Sequence, residues 1–173
     1  KDKKIIGHNT DIKGFENAIK KIKYDFKNKK IFILGAGGVV PSIIYASMKM
    51  ASSEIILCNR TEKKAEQVKN IFNNIKVIKW GEIPKFDVII NATSVGLKQD
   101  DKINLNFTKV GKNKLFYDVI YNPSETNFLN MGKKLGNKSE NGKLMFIYQA
   151  LSSFKLWHGK EPKINDETIK LLD

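Results

Sequence analysis

Three glycines and one arginine have the types and spacing to hold phosphate. Gly35, Gly37 and Gly38 follow the apolar run IFIL and precede a helical pattern that opens at Pro41. In a turn between strand and helix, Gly35 permits a tight reversal. Gly37, with Ala36 and Val39 completing the loop, lets the backbone approach a pyrophosphate on the helix N-terminus. Val40 replaces the third glycine of the usual fingerprint, and Pro41 suits a first helical turn, where no N–H is required. Arg60 is the only arginine among 31 basic residues. It follows a second apolar run, EIILC, about 20 residues past the glycines, where a dinucleotide-binding fold meets the adenosine ribose. An acidic residue there would bind the ribose 2′-hydroxyl, but this chain has Asn59, Arg60, Thr61 and, one turn later, Lys64. A guanidinium offers phosphate a planar fork of donors that an ammonium cannot reproduce. These four residues therefore read as a 2′-phosphate pocket and the cofactor as NADP, although Arg60 alone would also suit a solvated surface.

The elements that must position these groups alternate along the chain. Apolar strand candidates KIFILG, EIILCN, IKVIKW, FDVIIN and LFYDVIY are separated by helical patterns, the sequence form of a parallel sheet covered by helices. A first helix is expected from about Ile12 to Tyr24, others over VVPSIIYASMKM and EKKAEQVKNIF, and a last long one from about Lys143 to Trp157. The tail reads as a short amphipathic helix, and the polar stretches LKQDDKINLN and LGNKSENGK read as flexible loops. The fold class is α/β: a Rossmann-like, doubly wound parallel sheet with helices on both faces.

Composition narrows the class. A chain of 173 residues that is 41% hydrophobic can bury a real core in one compact unit. The apolar runs are too short for a membrane span and nothing at Lys1 resembles a signal peptide. The single cysteine, Cys58, has no partner within the chain for a disulfide, and a reducing cytoplasm is the expected location. A net charge of +13 and a pI of about 9.7 raise nucleic acid as a partner. The lysines are spread along the whole chain, however, as in a protein from an AT-rich genome, so no nucleic-acid partner is expected. His8 and His158 lack ligand-like spacing, and no metal is expected.

Four further segments carry a family resemblance. GHNTDIKGF at the start, NATSVGL after the fourth strand, YDVIYNPSETNFL after the fifth and NGKLMFIYQALSSFKLWHG near the end stand in the order and spacing of shikimate dehydrogenases. With ILGAGG and NRT, the resemblance covers nearly the whole chain. It implies an NADP-dependent enzyme that reduces 3-dehydroshikimate to shikimate on the route to chorismate and aromatic amino acids. It also implies a preceding substrate domain that supplies a serine pair, asparagines and a catalytic lysine. The expected partition is a linker helix carrying NTD in residues 1–28, an NADP-binding domain in 29–142, and C-terminal helices in 143–173 that pack toward the substrate domain. The expected partners are the small-molecule substrate and that domain, with a homodimer left open.

The resemblance also assigns residues. Asp11 corresponds to the catalytic, substrate-binding aspartate that faces the lysine, so the pair can hold hydroxyls and supply the proton that a reduced ketone takes up. Without the resemblance, Thr10 or Asp11 could simply cap the first helix. Gln149 matches a glutamine that hydrogen-bonds the substrate, and Tyr121 matches a substrate-binding tyrosine at the substrate and nicotinamide edge. Gly142, Met145 and Val119 match positions lining the nicotinamide, while Asn91 to Val95 end a strand at the carboxyl edge of the sheet, so that NATSV, with Ala92, Thr93 and Ser94, would meet its ribose. Each could also be an ordinary core, turn or helix residue. The rivals are a quinate or other hydroxy-acid dehydrogenase, a methylene-tetrahydrofolate dehydrogenase, a noncatalytic NADP-binding module and a basic nucleic-acid-binding domain. Asp11, Tyr121 and Gln149, none of them needed to bind NADP, argue against the module.

Overall fold

The computed structural model describes residues 4–170. Six strands run β1 (Lys30–Leu34), β2 (Glu54–Cys58), β3 (Lys76–Val77), β4 (Val88–Asn91), β5 (Leu115–Asp118) and β6 (Lys138–Glu140). The helices are α1 (Asp11–Lys21), α2 (Val40–Lys49), α3 (Glu62–Ile71), α4 (Asn127–Lys134), α5 (Lys143–His158) and α6 (Asp166–Lys170). All strand pairs are parallel, in the order β3-β2-β1-β4-β5-β6. The winding therefore reverses between β1 and β4, and a ligand crevice is expected at their carboxyl ends.

The four inner strands, β2, β1, β4 and β5, are apolar on both sides because both faces are covered. In β1, Ile31 and Ile33 point into one core with Phe15, Ile43, Leu57, Ile90 and Tyr117. Phe32 and Leu34 point into a second core with Phe86, Phe107, Phe116 and Phe128. Each of these four β1 side chains is fully buried, worth roughly 1.5–3 kcal/mol apiece. The first core lies under α1, α2, α3 and α5, while α4 and the irregular segments 78–86 and 103–110 cover the second.

Several sequence expectations are corrected. IKVIKW forms only the two-residue β3, because its pairing with β2 is confined to Ile56 and Leu57. LGNKSENGK is not simply a loop, since it contains β6, a short polar strand paired with β5. A helix the sequence reading omitted, α4, follows Thr126, whose hydroxyl accepts the Leu129 N–H at 3.3 Å. α1 ends at Lys21 rather than Tyr24, where the chain turns through Lys23 at φ 54°.

Candidate functional site

The glycine turn is shaped by its neighbour across the switch point. Gly35 is buried, has φ +106°, and a Cβ there would sit 2.7 Å from the Ala92 carbonyl oxygen, so only glycine fits. This contact brings the turn after β1 against the end of β4, placing Ala92 and Thr93 beside Gly35. Gly37 and Gly38 are exposed; a Cβ on Gly37 would only touch the Ala92 carbonyl oxygen at 4.0 Å, and one on Gly38 would meet open space. α2 starts without a side-chain cap. Among the described residues the amides of Gly37, Gly38 and Val39 donate to no backbone carbonyl. A turn with unspent donors at a helix N-terminus fits an anionic ligand.

One strand away, Asn59 donates from Nδ2 to the Thr61 carbonyl at 2.8 Å and fixes the turn into α3. Arg60, Thr61 and Lys64 are exposed on that turn and the first turn of α3. Thr61 occupies the N-cap position but makes no capping bond, leaving its hydroxyl unused. The four residues singled out in the sequence thus share one helix N-terminus on the same sheet edge as the glycine turn. Cys58, just before them, is buried, which pushes its thiol up to about 12 and leaves it inert.

The NTD segment is fastened from two sides. Asn9 donates from Nδ2 to the Ser42 hydroxyl of α2 at 3.0 Å, and the Thr10 hydroxyl accepts from Ser153 of α5 at 3.2 Å. The capping role considered for Thr10 or Asp11 falls to Asn9, whose Oδ1 accepts the Ile12 N–H at 3.3 Å. Thr10 makes no side-chain cap bond, and Asp11 has no hydrogen bond or ion pair among the described residues. Three residues on, a Cβ at Gly14 would stand 2.8 Å from both Gln149 Cβ and the Met145 carbonyl oxygen. The missing side chain lets α1 and α5 cross closely and sets Gln149 against the turn that follows Asp11.

At the other end of α5, a Cβ on Gly142 would lie 2.0 Å from the Val119 carbonyl oxygen, and its N–H donates to Ile120 at 3.0 Å. Gly142 and Val119 are therefore in contact. Met145 is buried in the first core. Tyr121 stacks on Phe146 of α5 with ring centroids 4.5 Å apart and planes 22° apart.

Sequence reasoning missed a buried polar centre between these groups. Asn91 and Asp118, the last residues of β4 and β5, are paired in register and fully buried, and Asn91 Nδ2 donates to Asp118 Oδ1 at 3.0 Å. Burial pushes the Asp118 carboxyl up to about 6 against the pull of donors from Thr126, Ile120 and Asn91. The available signal was the aspartate itself, a charge inside the apolar run LFYDVIY. Gly14 had a comparable signal as a lone glycine inside a helical pattern.

The glycine turn, the basic α3 N-terminus and the carboxyl ends of β4 and β5 thus line one edge of the sheet. The comparisons with known proteins agree with this arrangement. The shikimate/quinate 5-dehydrogenase family matches residues 16–123, a span that holds the glycine turn, Arg60, NATSV and Tyr121. The chain is 57% identical over all its 173 residues to the shikimate dehydrogenase (NADP(+)) of Pelagibacter ubique (strain HTCC1062), and spans 65% of that relative's length. Its structure superimposes on the crystal structure of shikimate dehydrogenase from Aquifex aeolicus with a TM-score of 0.86 at 34% identity, covering 99% of this chain and 63% of the other. It also resembles ligand-free 5-ketofructose reductase of Gluconobacter sp. strain CHM43, with a TM-score of 0.85 at 28% identity over 99% of this chain and 65% of the other. With more than half of its length matched, the chain belongs to the shikimate/quinate 5-dehydrogenase family.

Proposed function

We propose that this chain is the NADP-binding part of a cytoplasmic dehydrogenase that reduces 3-dehydroshikimate to shikimate, in the formation of chorismate and the aromatic amino acids. The observation that carries the reading is the sharing of one sheet edge by the glycine turn and the α3 N-terminus with Arg60. The printed name of the Pelagibacter relative, a shikimate dehydrogenase using NADP(+), supports both the cofactor and the reaction. Gly35 to Val39 would receive the pyrophosphate on unspent amides, while Asn59, Arg60, Thr61 and Lys64 would hold the 2′-phosphate. Ala92, Thr93, Ser94, Val119, Gly142 and Met145 would line the nicotinamide half. The bound cofactor supplies the hydride.

The remaining chemistry falls to side chains. Asp11, unpartnered at the start of α1, would hold a substrate hydroxyl and, with a lysine outside this chain, deliver the proton taken up by the developing alkoxide. Tyr121 and Gln149 would orient the substrate from the two ends of the α1, α5 and β5 assembly. The length of the relatives beyond the 65% matched here is read as a substrate domain that carries the lysine. Buried, unpaired Cys58 supports the cytoplasmic location. In the intact protein, Asp11→Asn should lower kcat by roughly a hundredfold or more, the usual scale of a positioned acid or base, with NADPH affinity unchanged. Turnover within a few-fold of the unaltered enzyme would refute the role of Asp11.

A further inference from the structure

The turn after β4 and the segment after β5 are joined through a single carboxylate. Asn91 Nδ2 donates both to Asp118 Oδ1 and to the Val95 carbonyl, each at 3.0 Å. Asn91 Oδ1 accepts from the Thr93 N–H at 3.1 Å and from its hydroxyl at 2.7 Å, and Thr93 Oγ1 accepts the Val95 N–H at 3.1 Å. On the other side, Asp118 Oδ1 accepts the Ile120 N–H at 3.0 Å and Oδ2 accepts the Thr126 hydroxyl at 2.7 Å. Thr126 is in turn the N-cap of α4. The two segments also touch directly, since a Cβ on Gly96, at φ +122°, would lie 3.1 Å from Ile120 Cδ1 and 3.2 Å from Thr126 Cγ2.

A carboxylate buried without donors would be too costly to keep. Asp118 instead collects three donors, one from the 91–95 turn and two from the 119–126 segment. Both segments carry groups assigned above to this end of the site: Ala92, Thr93 and Ser94 on one, and on the other Val119 for the nicotinamide and Tyr121 for the substrate. We propose that Asp118 is a positioning residue for the nicotinamide end of the site, locking the 92–96 turn and the 119–126 segment into one rigid wall through Asn91 and Thr126. This rests on the cofactor reading above. Asp118 makes no hydrogen bond to the glycine turn or to Arg60 among the described residues, so its influence falls first on the nicotinamide half.

The test compares two probes on the intact protein: NADPH, and adenosine 2′,5′-bisphosphate, which carries the 2′-phosphate and lacks the nicotinamide half. Asp118→Asn keeps the shape but turns one acceptor into a donor. It should weaken NADPH roughly tenfold, the effect of one charge-assisted hydrogen bond, and lower kcat, while the bisphosphate binds as before. Thr126→Val, which removes one donor at constant size, should give the same split, and Thr126→Ser should restore NADPH affinity. This pair decides the question if Asp118→Asn does not fold. NADPH affinity unchanged in Thr126→Val, or both probes weakened equally, would overturn the proposal. Failure of the unaltered protein to bind the bisphosphate would overturn the cofactor reading and this proposal with it.

Discussion

At the residue scale the sequence was most legible where chemistry restricts the choice. Only glycine tolerates φ +106° against the Ala92 carbonyl at Gly35, and the sole arginine stands at the start of α3. Arg60→Ala should therefore weaken NADPH by about 1.5–3 kcal/mol, the range for hydrogen bonds to charged groups, and hardly alter NADH. Titration of both cofactors checks this, and equal losses would contradict it. Tyr117 presents the opposite case. Its hydroxyl is buried without a hydrogen-bond partner, while its ring packs edge-on against Phe15 at 5.2 Å. Removing an orphaned hydroxyl relieves a desolvation penalty, so Tyr117→Phe should stabilise the protein by about 1 kcal/mol. Denaturant unfolding would read this, and a loss of stability would show that the hydroxyl has a partner.

At the element scale the helices and central strands were readable from period and length, and the misses have physical reasons. β6 is a polar edge strand, KSE, with no alternation to mark it. α4, NFLNMGKK, contains Gly132, which lowers helix propensity. That glycine exists for packing, because a Cβ there would meet the Phe116 ring at 2.6 Å. Gly14 plays the same part between α1 and α5, where a methyl group would press on Gln149 and Met145. Gly14→Ala should cost about 1–3 kcal/mol, the usual penalty for overpacking, and lower kcat by displacing Gln149. Thermal unfolding with steady-state kinetics on the intact protein checks the pair. Full stability and activity would mean that the crossing has slack. The polar network around Asp118 could not be read in advance, since its partners lie 27 and 8 residues away in sequence.

At the scale of the whole molecule, α5 stands out, since its first half is core and its second half exposes Phe154, Leu156 and Trp157, the last at 78%. An apolar surface of this kind suits the proposed contact with a substrate domain. Asp118 also gives the molecule a pH dependence. Its carboxyl rises from the ordinary 3.8 to about 6 on burial. Between these values the folded chain holds a proton that the unfolded chain releases, so this contribution to stability is present at low pH and lost as the pH rises through about 6. The unaltered protein should gain stability relative to Asp118→Asn as the pH falls from about 7 to about 4. A difference that stays flat over that window in paired unfolding curves would mean the carboxyl is not shifted.

The most direct test of the proposed function is shikimate-dependent reduction of NADP+ by the intact protein that contains this chain, followed by absorbance, with quinate and NAD+ in parallel. Reduction should be rapid with shikimate and NADP+, and much slower when either is replaced. Preference for quinate or NAD+, or no turnover by a folded protein that binds NADPH, would contradict it.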